Sequence, residues 1–338
     1  MKYILYGSPQ SLFTRKLQAA LEFYPLEFEF RQKRASEIED QLELRSGTHQ
    51  MPVLRTPEDW MIADTTPLIA LMDTRFPRYR LFPKGFDGFV VHLLEDIFDE
   101  WISRTMVHYR WRYPASAEVA ADQLANGDPD IAAKIRSWGP RACRATGTET
   151  AVAGQDAERE YELVLQAMES QLQATRFLLG PVPTALDCAV LGGLHAHILN
   201  DPDPARLMRG YPRTSRWATD NAQGATPYPA DELPKYDVTD FARQVLQRIA
   251  PEYKRFLLGN RNALRQGDKS FMATIYGHEV SFLTRRYPQT ANQMLVDRMH
   301  YQLDQDDRQR AVELLDAYDL ADCFADVQSS STLTRSQH

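Results

Sequence analysis

The chain is poor in cysteine: Cys143, Cys188 and Cys323 are three in 338 residues, far apart and odd in number. That argues against a disulfide framework or a metal cluster and for a reducing cytosol. Positive charge is also in short supply. The 39 Lys and Arg face 46 Asp and Glu, and the net charge of −7 is spread without a basic stripe, which argues against a nucleic-acid partner. No apolar run approaches the ~20 residues of a membrane span. Met1-Lys2-Tyr3-Ile4-Leu5-Tyr6-Gly7 has no small-residue cleavage site and reads as a strand, not a signal peptide. The last shortage is local: after Phe82-Pro83-Lys84-Gly85 the strand signals stop.

What is present is ordinary for a globular protein, 43% hydrophobic and 25% charged residues, with length for two or three domains of ~100–200 residues. Residues 1–82 alternate strand and helix. Lys2 to Tyr6 is a buried strand, Leu12 to Phe23 a helix, and Glu27 to Arg31 a strand of period two. Ser36 to Arg45 is a polar helix stopped near Gly47. Val53 to Thr56 and Trp60 to Ala63 pair across Pro57-Glu58-Asp59, and Thr65 to Arg75 is a last helix. The order is β-α-β-α-β-β-α, that of a thioredoxin-like α/β unit. From 86 to 223 the periodicity is helical, led by a long helix from Gly88 to Tyr113. The turn-rich bridge Gly224 to Pro234 leads to a third helical section, 235–328, with helices expected over Asp240 to Arg265, Gly267 to Tyr287, Ala291 to Asp304 and Asp307 to Tyr318. The tail 329–338 has no apolar periodicity and is expected to be disordered.

Three motifs stand out. In His49-Gln50-Met51-Pro52-Val53-Leu54 a proline opens a short apolar strand. Proline donates no ladder bond and makes the one peptide link for which cis is cheap. A cis link there turns the Met51 N–H and C=O outward, able to pair with an extended peptide as one more strand would. Asp64-Thr65 then opens a helix, where backbone N–H groups bind a carboxylate and an acid faces an ammonium. In Pro183-Thr184-Ala185-Leu186-Asp187, Thr184 and Asp187 have the spacing of a capping box, in which the threonine hydroxyl accepts from the Asp187 N–H and the carboxylate returns to the Thr184 N–H.

On these three motifs residues 1 to about 220 resemble the glutathione transferase superfamily, whose thioredoxin-like N-terminal domain precedes an all-α domain. The third section is similar to an extension carried by a long bacterial subgroup, expected to cover the cleft or enlarge an interface. The resemblance implies glutathione as co-substrate, no metal, a small electrophilic second substrate of aromatic or apolar character, a cytoplasmic location, and a homodimer across the last N-terminal helix and the long helix.

It also implies a thiol-activating donor in the first strand-to-helix loop, Gly7 to Lys16. Ser11 leads, five residues before Lys16, a spacing that serine-type members keep. Thr14 comes next, then Ser8 and Tyr6. No cysteine occupies this loop, which disfavours mixed-disulfide chemistry. Asp64 and Thr65 are expected on the γ-glutamyl group, Met51 and Pro52 on the cysteinyl residue, and Gln50 with His49 near the glycyl end. Lys16 and Arg15 either touch ligand or are exposed helix charges. On the long helix Trp101, Arg104, His108 and Trp111 share one face, an aromatic and cationic stripe for the second substrate or a packing surface. His195 and His197 are read as structural. Three other readings stay open: a non-catalytic ligand-binding protein of this fold, a glutathione-using isomerase or lyase of a catabolic pathway, and an interaction module docking through the extension.

Overall fold

The computed structural model describes residues 2–33, 39–222 and 238–324. The start of the helix expected from Ser36, the bridge Gly224 to Pro234 and the tail 329–338 lie outside the described residues.

Four strands, β1 (Tyr3–Gly7), β2 (Phe28–Gln32), β3 (Val53–Arg55) and β4 (Met61–Ala63), form one sheet in the order β2-β1-β3-β4. β1 runs parallel to β2 and antiparallel to β3, and β4 closes antiparallel on β3. Helices α1 (Leu12–Phe23), α2 (Glu39–Ser46) and α3 (Thr65–Arg75) complete the expected thioredoxin-like order. β1 is buried throughout, as a central strand requires.

The long helix is continuous but not uniform. α4 (Gly85–Asp96) passes through a π-helical turn, Ile97–Ile102, into α5 (Ser103–Arg112). Around it pack α6 (Pro114–Leu124), α7 (Pro129–Arg136), α8 (Gly139–Ala145), α9 (Ala151–Ala174), α10 (Ala185–Gly193), α11 (Pro202–Leu207) and α12 (Pro212–Asp220). α10 starts at the predicted Thr184–Asp187 capping box; the Thr184 hydroxyl and N–H also both approach the Asp187 carboxylate as donors, at 2.8 Å each, and the Leu178 N–H donates to its other oxygen at 3.0 Å. α1 and α10 approach closely at Gly192, where a Cβ would lie 2.6 Å from the Leu12 carbonyl oxygen.

The third section departs from expectation twice. Asp240 to Arg265 is two helices, α13 (Asp240–Arg248) and α14 (Ala250–Gln266), broken where Pro251 opens the second. The helix expected over Gly267 to Tyr287 is a hairpin of β5 (Ser270–Ile275) and β6 (His278–Leu283), turning through Tyr276 and Gly277 at φ 48° and 83°. Positive φ at both central residues is the two-residue turn that matches strand twist. α15 (Tyr287–Tyr301) and α16 (Gln305–Ala317) follow and cover α4, which is buried from Gly88 to Asp96. Arg298 stacks 4.9 Å over Phe82 and Arg310 4.1 Å over Phe86.

Candidate functional site

A cavity of about 620 Å³ opens where the three sections meet. The N-terminal unit contributes Ser11, Leu12, Phe13, Thr48, Gln50, Met51, Pro52 and Ala63 to Thr66; the long helix contributes Asp96, Asp99, Glu100, Ser103, Met106 and Val107; the third section contributes Arg285, Arg286, Tyr287, Ala291 and Met294. The size suits a small-molecule site.

Local sequence explains the first wall. Ser11 is the N-cap of α1, its hydroxyl oxygen accepting from the Thr14 N–H at 3.3 Å, which leaves the hydroxyl proton to point elsewhere. The Met51–Pro52 bond is cis, and the sheet ladder starts only at Val53, so the Met51 main chain stands outside it. Asp64 turns the chain from β4 into α3 at φ 74°, ψ 125°, a region that non-glycine residues seldom occupy. Burial raises the Asp64 pKa, and the charge of Lys16 opposes that rise.

The other loop hydroxyls do not line the cavity. Thr14 is fully buried away from the cavity, its oxygen accepting from the Ser8 N–H at 3.3 Å. Ser8 donates to Gln10 Oε1 at 2.8 Å, and Tyr6 is buried in the sheet core. His49 is exposed, while Gln50 lines the cavity.

Lys16 is neither a ligand contact nor an exposed charge. It is wholly buried behind the cavity wall, paired with Glu95 and Asp99 and 3.3 Å from the Thr66 hydroxyl. Burial works against its charge, but the two carboxylates outweigh burial and hold its pKa above the usual lysine value.

The aromatic stripe is a second correction. Trp101 is 1% exposed, donates from Nε1 to Glu160 at 2.9 Å and stacks with Phe256 at 5.5 Å between ring centres. Arg104 pairs with Glu160 at 3.1 Å, His108 meets Glu158 at 2.7 Å, and Trp111 packs against Gly139. None of the four lines the cavity, which takes the neighbouring face of the same helix. That face is marked by Asp96, Asp99 and Glu100, acids at positions i, i+3 and i+4, a spacing that puts them together on one side of the helix. His197 reaches the cavity edge, its Nδ1 within 3.2 Å of the Met106 carbonyl oxygen.

Residues 5–80 match the family model for the glutathione S-transferase N-terminal domain. Residues 5–80 are therefore identified as a glutathione S-transferase N-terminal domain. Among solved structures it is similar to the β-etherase LigF of a Sphingobium strain (14% identity, 65% of this chain and 94% of that one, TM-score 0.48). A transferase-like protein from Pseudomonas syringae aligns at 20% identity over 67% of this chain and 68% of that one, with a TM-score of 0.46. A transferase of Methylobacillus flagellatus solved with glutathione bound aligns at 16% over 67% of this chain and all of the other, TM-score 0.43. These alignments are loose, and the family match is confined to the N-terminal unit. No curated protein matches the chain. Among the described residues, no helix is long and apolar enough to cross a membrane, and no group of three or more His, Cys, Asp or Glu could hold a metal ion.

Proposed function

We propose that this chain is a glutathione transferase-like enzyme. Thr65 and the N-terminus of α3 take the γ-glutamyl carboxylate, Asp64 takes the ammonium, and the Met51 main chain pairs with the cysteinyl residue. Gln50 lies toward the glycyl end. The observation that carries this reading is that Ser11, Met51, Asp64 and Thr65, distant in sequence, line one cavity. Ser11 donates its hydroxyl proton to the thiolate sulfur, and the N-terminal end of α1 adds its partial positive charge. The thiolate then attacks an electrophilic small molecule seated against Ser103, Met106, Val107 and Met294. The third section forms a wall of this site.

A non-catalytic glutathione-binding protein is the second reading, favoured by one observation: as an N-cap, the Ser11 hydroxyl already has a structural bond. Calorimetric titration with glutathione, with thiolate absorbance followed across pH, separates the two. Turnover requires the bound thiol pKa to fall below the ordinary ~8.5. Ser11→Ala is then expected to return it toward that value and lower kcat/KM by about a hundredfold, the usual effect of removing one oriented donor. Failure of the unaltered protein to bind glutathione sinks both readings; binding with an unshifted thiol leaves only the second.

A further inference from the structure

Among the charged groups facing the cavity, Arg285 is held in an unusual way. It follows β6, and the fully buried Asn260 of α14 fixes its backbone from both sides. Asn260 Oδ1 accepts from the Arg285 N–H at 2.9 Å, and Nδ2 donates to the Arg285 carbonyl at 2.8 Å. The guanidinium lies 5.3 Å from the Phe256 ring centre, with Nη2 3.4 Å from the Glu100 main-chain oxygen and Nη1 3.9 Å from the Glu100 carboxylate. The Arg285 Nε–H is buried without a hydrogen-bond partner among the described residues. A desolvated donor left unmade is unfavourable unless an acceptor arrives from outside the chain.

Glu100 faces the same space, its side chain 10% exposed. Burial raises its pKa; Arg285 opposes the rise and the charge of Asp64 adds to it, so all three groups share one field. A simple cation in this corner would leave the Arg285 donor unmet. A simple anion would face Asp64 and Glu100. A group with both signs a few ångströms apart answers each.

The geometry points to an α-amino-acid head bound here, its ammonium between Asp64 and Glu100 and its carboxylate on Arg285 and the N-terminus of α3. In the glutathione reading, on which this rests, that head is the γ-glutamyl end. Arg285 is then a positioning residue through which the third section builds part of the glutathione site instead of merely roofing it.

Calorimetry on the full-length protein with three probes tests this: glutathione, 4-aminobutyryl-cysteinylglycine, which lacks the α-carboxylate, and glutaryl-cysteinylglycine, which lacks the ammonium. Arg285→Gln is expected to weaken glutathione about tenfold or more, the scale of one charge-assisted bond, and the 4-aminobutyryl peptide less than about twofold. Glu100→Gln should weaken glutathione more than the glutaryl peptide. Equal losses on all probes, the mark of a variant that merely disturbs the fold, overturn the assignment. So does free glutamate binding to the glutathione-saturated protein with a dependence on Arg285, which would give the head site to a second substrate. If the unaltered protein binds no glutathione, the underlying reading falls and this one with it. If it binds and Arg285→Gln changes nothing, only this one falls.

Discussion

Two buried carboxylate centres flank the long helix, and they are balanced differently. On the side away from the cavity Glu160 accepts from Trp101 Nε1 at 2.9 Å, Arg104 Nη2 at 3.1 Å and the Tyr276 hydroxyl at 2.5 Å. Burial raises the Glu160 pKa, and those donors oppose the rise. This centre ties α5, α9 and the β5–β6 turn together, and its carboxylate is met by three donors, although the Arg104 Nε–H has no partner among the described residues. Beside the cavity, Glu95, Asp96, Asp99, Glu100 and Asp64 outnumber the cations Lys16, Arg285 and Arg286. Tyr253 serves Asp96 and Thr66 serves Glu95, yet Glu100 and Arg285 keep unspent capacity. The Glu160 carboxylate is closed by its own donors and lies off the cavity, whereas the acids beside the cavity leave charge that an entering group can meet.

The largest expected break of this contrast is Lys16→Met. It leaves Glu95 and Asp99 buried without their cation, a change that costs about 3–5 kcal/mol when a buried pair loses one partner. Urea unfolding should show the midpoint drop accordingly. A loss under about 1 kcal/mol would mean that the acids around Lys16 are already held neutral, and the picture of a charged centre would fail.

A smaller effect is expected from pH at Asp187. Burial raises this carboxyl to about 6, with the Leu178 N–H and Thr184 donors working against the rise. An unfolded aspartate titrates near ~3.9, so the folded state holds the proton more tightly, and this group's contribution to stability grows as pH falls from about 6 toward ~4. Asp187→Asn cannot titrate. The stability of the unaltered protein relative to that variant should therefore rise by about 1–2 kcal/mol between pH 7 and pH 4.5, at up to ~1.4 kcal/mol per pH unit. A flat or inverted difference, measured by denaturation at a series of pH values, would contradict the buried carboxyl.

Much of the N-terminal unit was legible because its signals are local: strand alternation, a proline at a strand start, an N-cap serine. Met51, Pro52, Asp64 and Thr65 could be placed because backbone geometry, more than packing, sets what they present. The long helix was harder. Its helical period was plain, but which face meets the core depends on partners far away in sequence. Trp101 goes inward because Glu160, Phe256 and Phe282 wait for it there. The burial of Lys16 is illegible for the same reason, since nothing near it in sequence announces Glu95 and Asp99. The β5–β6 hairpin did carry a local signal, alternation on either side of Tyr276-Gly277, but the helical run before it concealed the change of period.

The smallest expected effect sharpens the comparison from the closed side. Tyr276→Phe removes one of the donors to Glu160 while Trp101 and Arg104 remain, and Tyr276 is not among the residues lining the cavity. Losing one such bond should lower stability by about 0.5–1.5 kcal/mol, near the usual value for a single hydrogen bond, because the carboxylate keeps its other donors. Glutathione affinity should stay within about twofold, a difference under ~0.5 kcal/mol. Calorimetry and denaturation on the same preparation read both quantities. If affinity falls along with stability, the Glu160 centre is coupled to the ligand site through the hairpin, and the two carboxylate centres form one system.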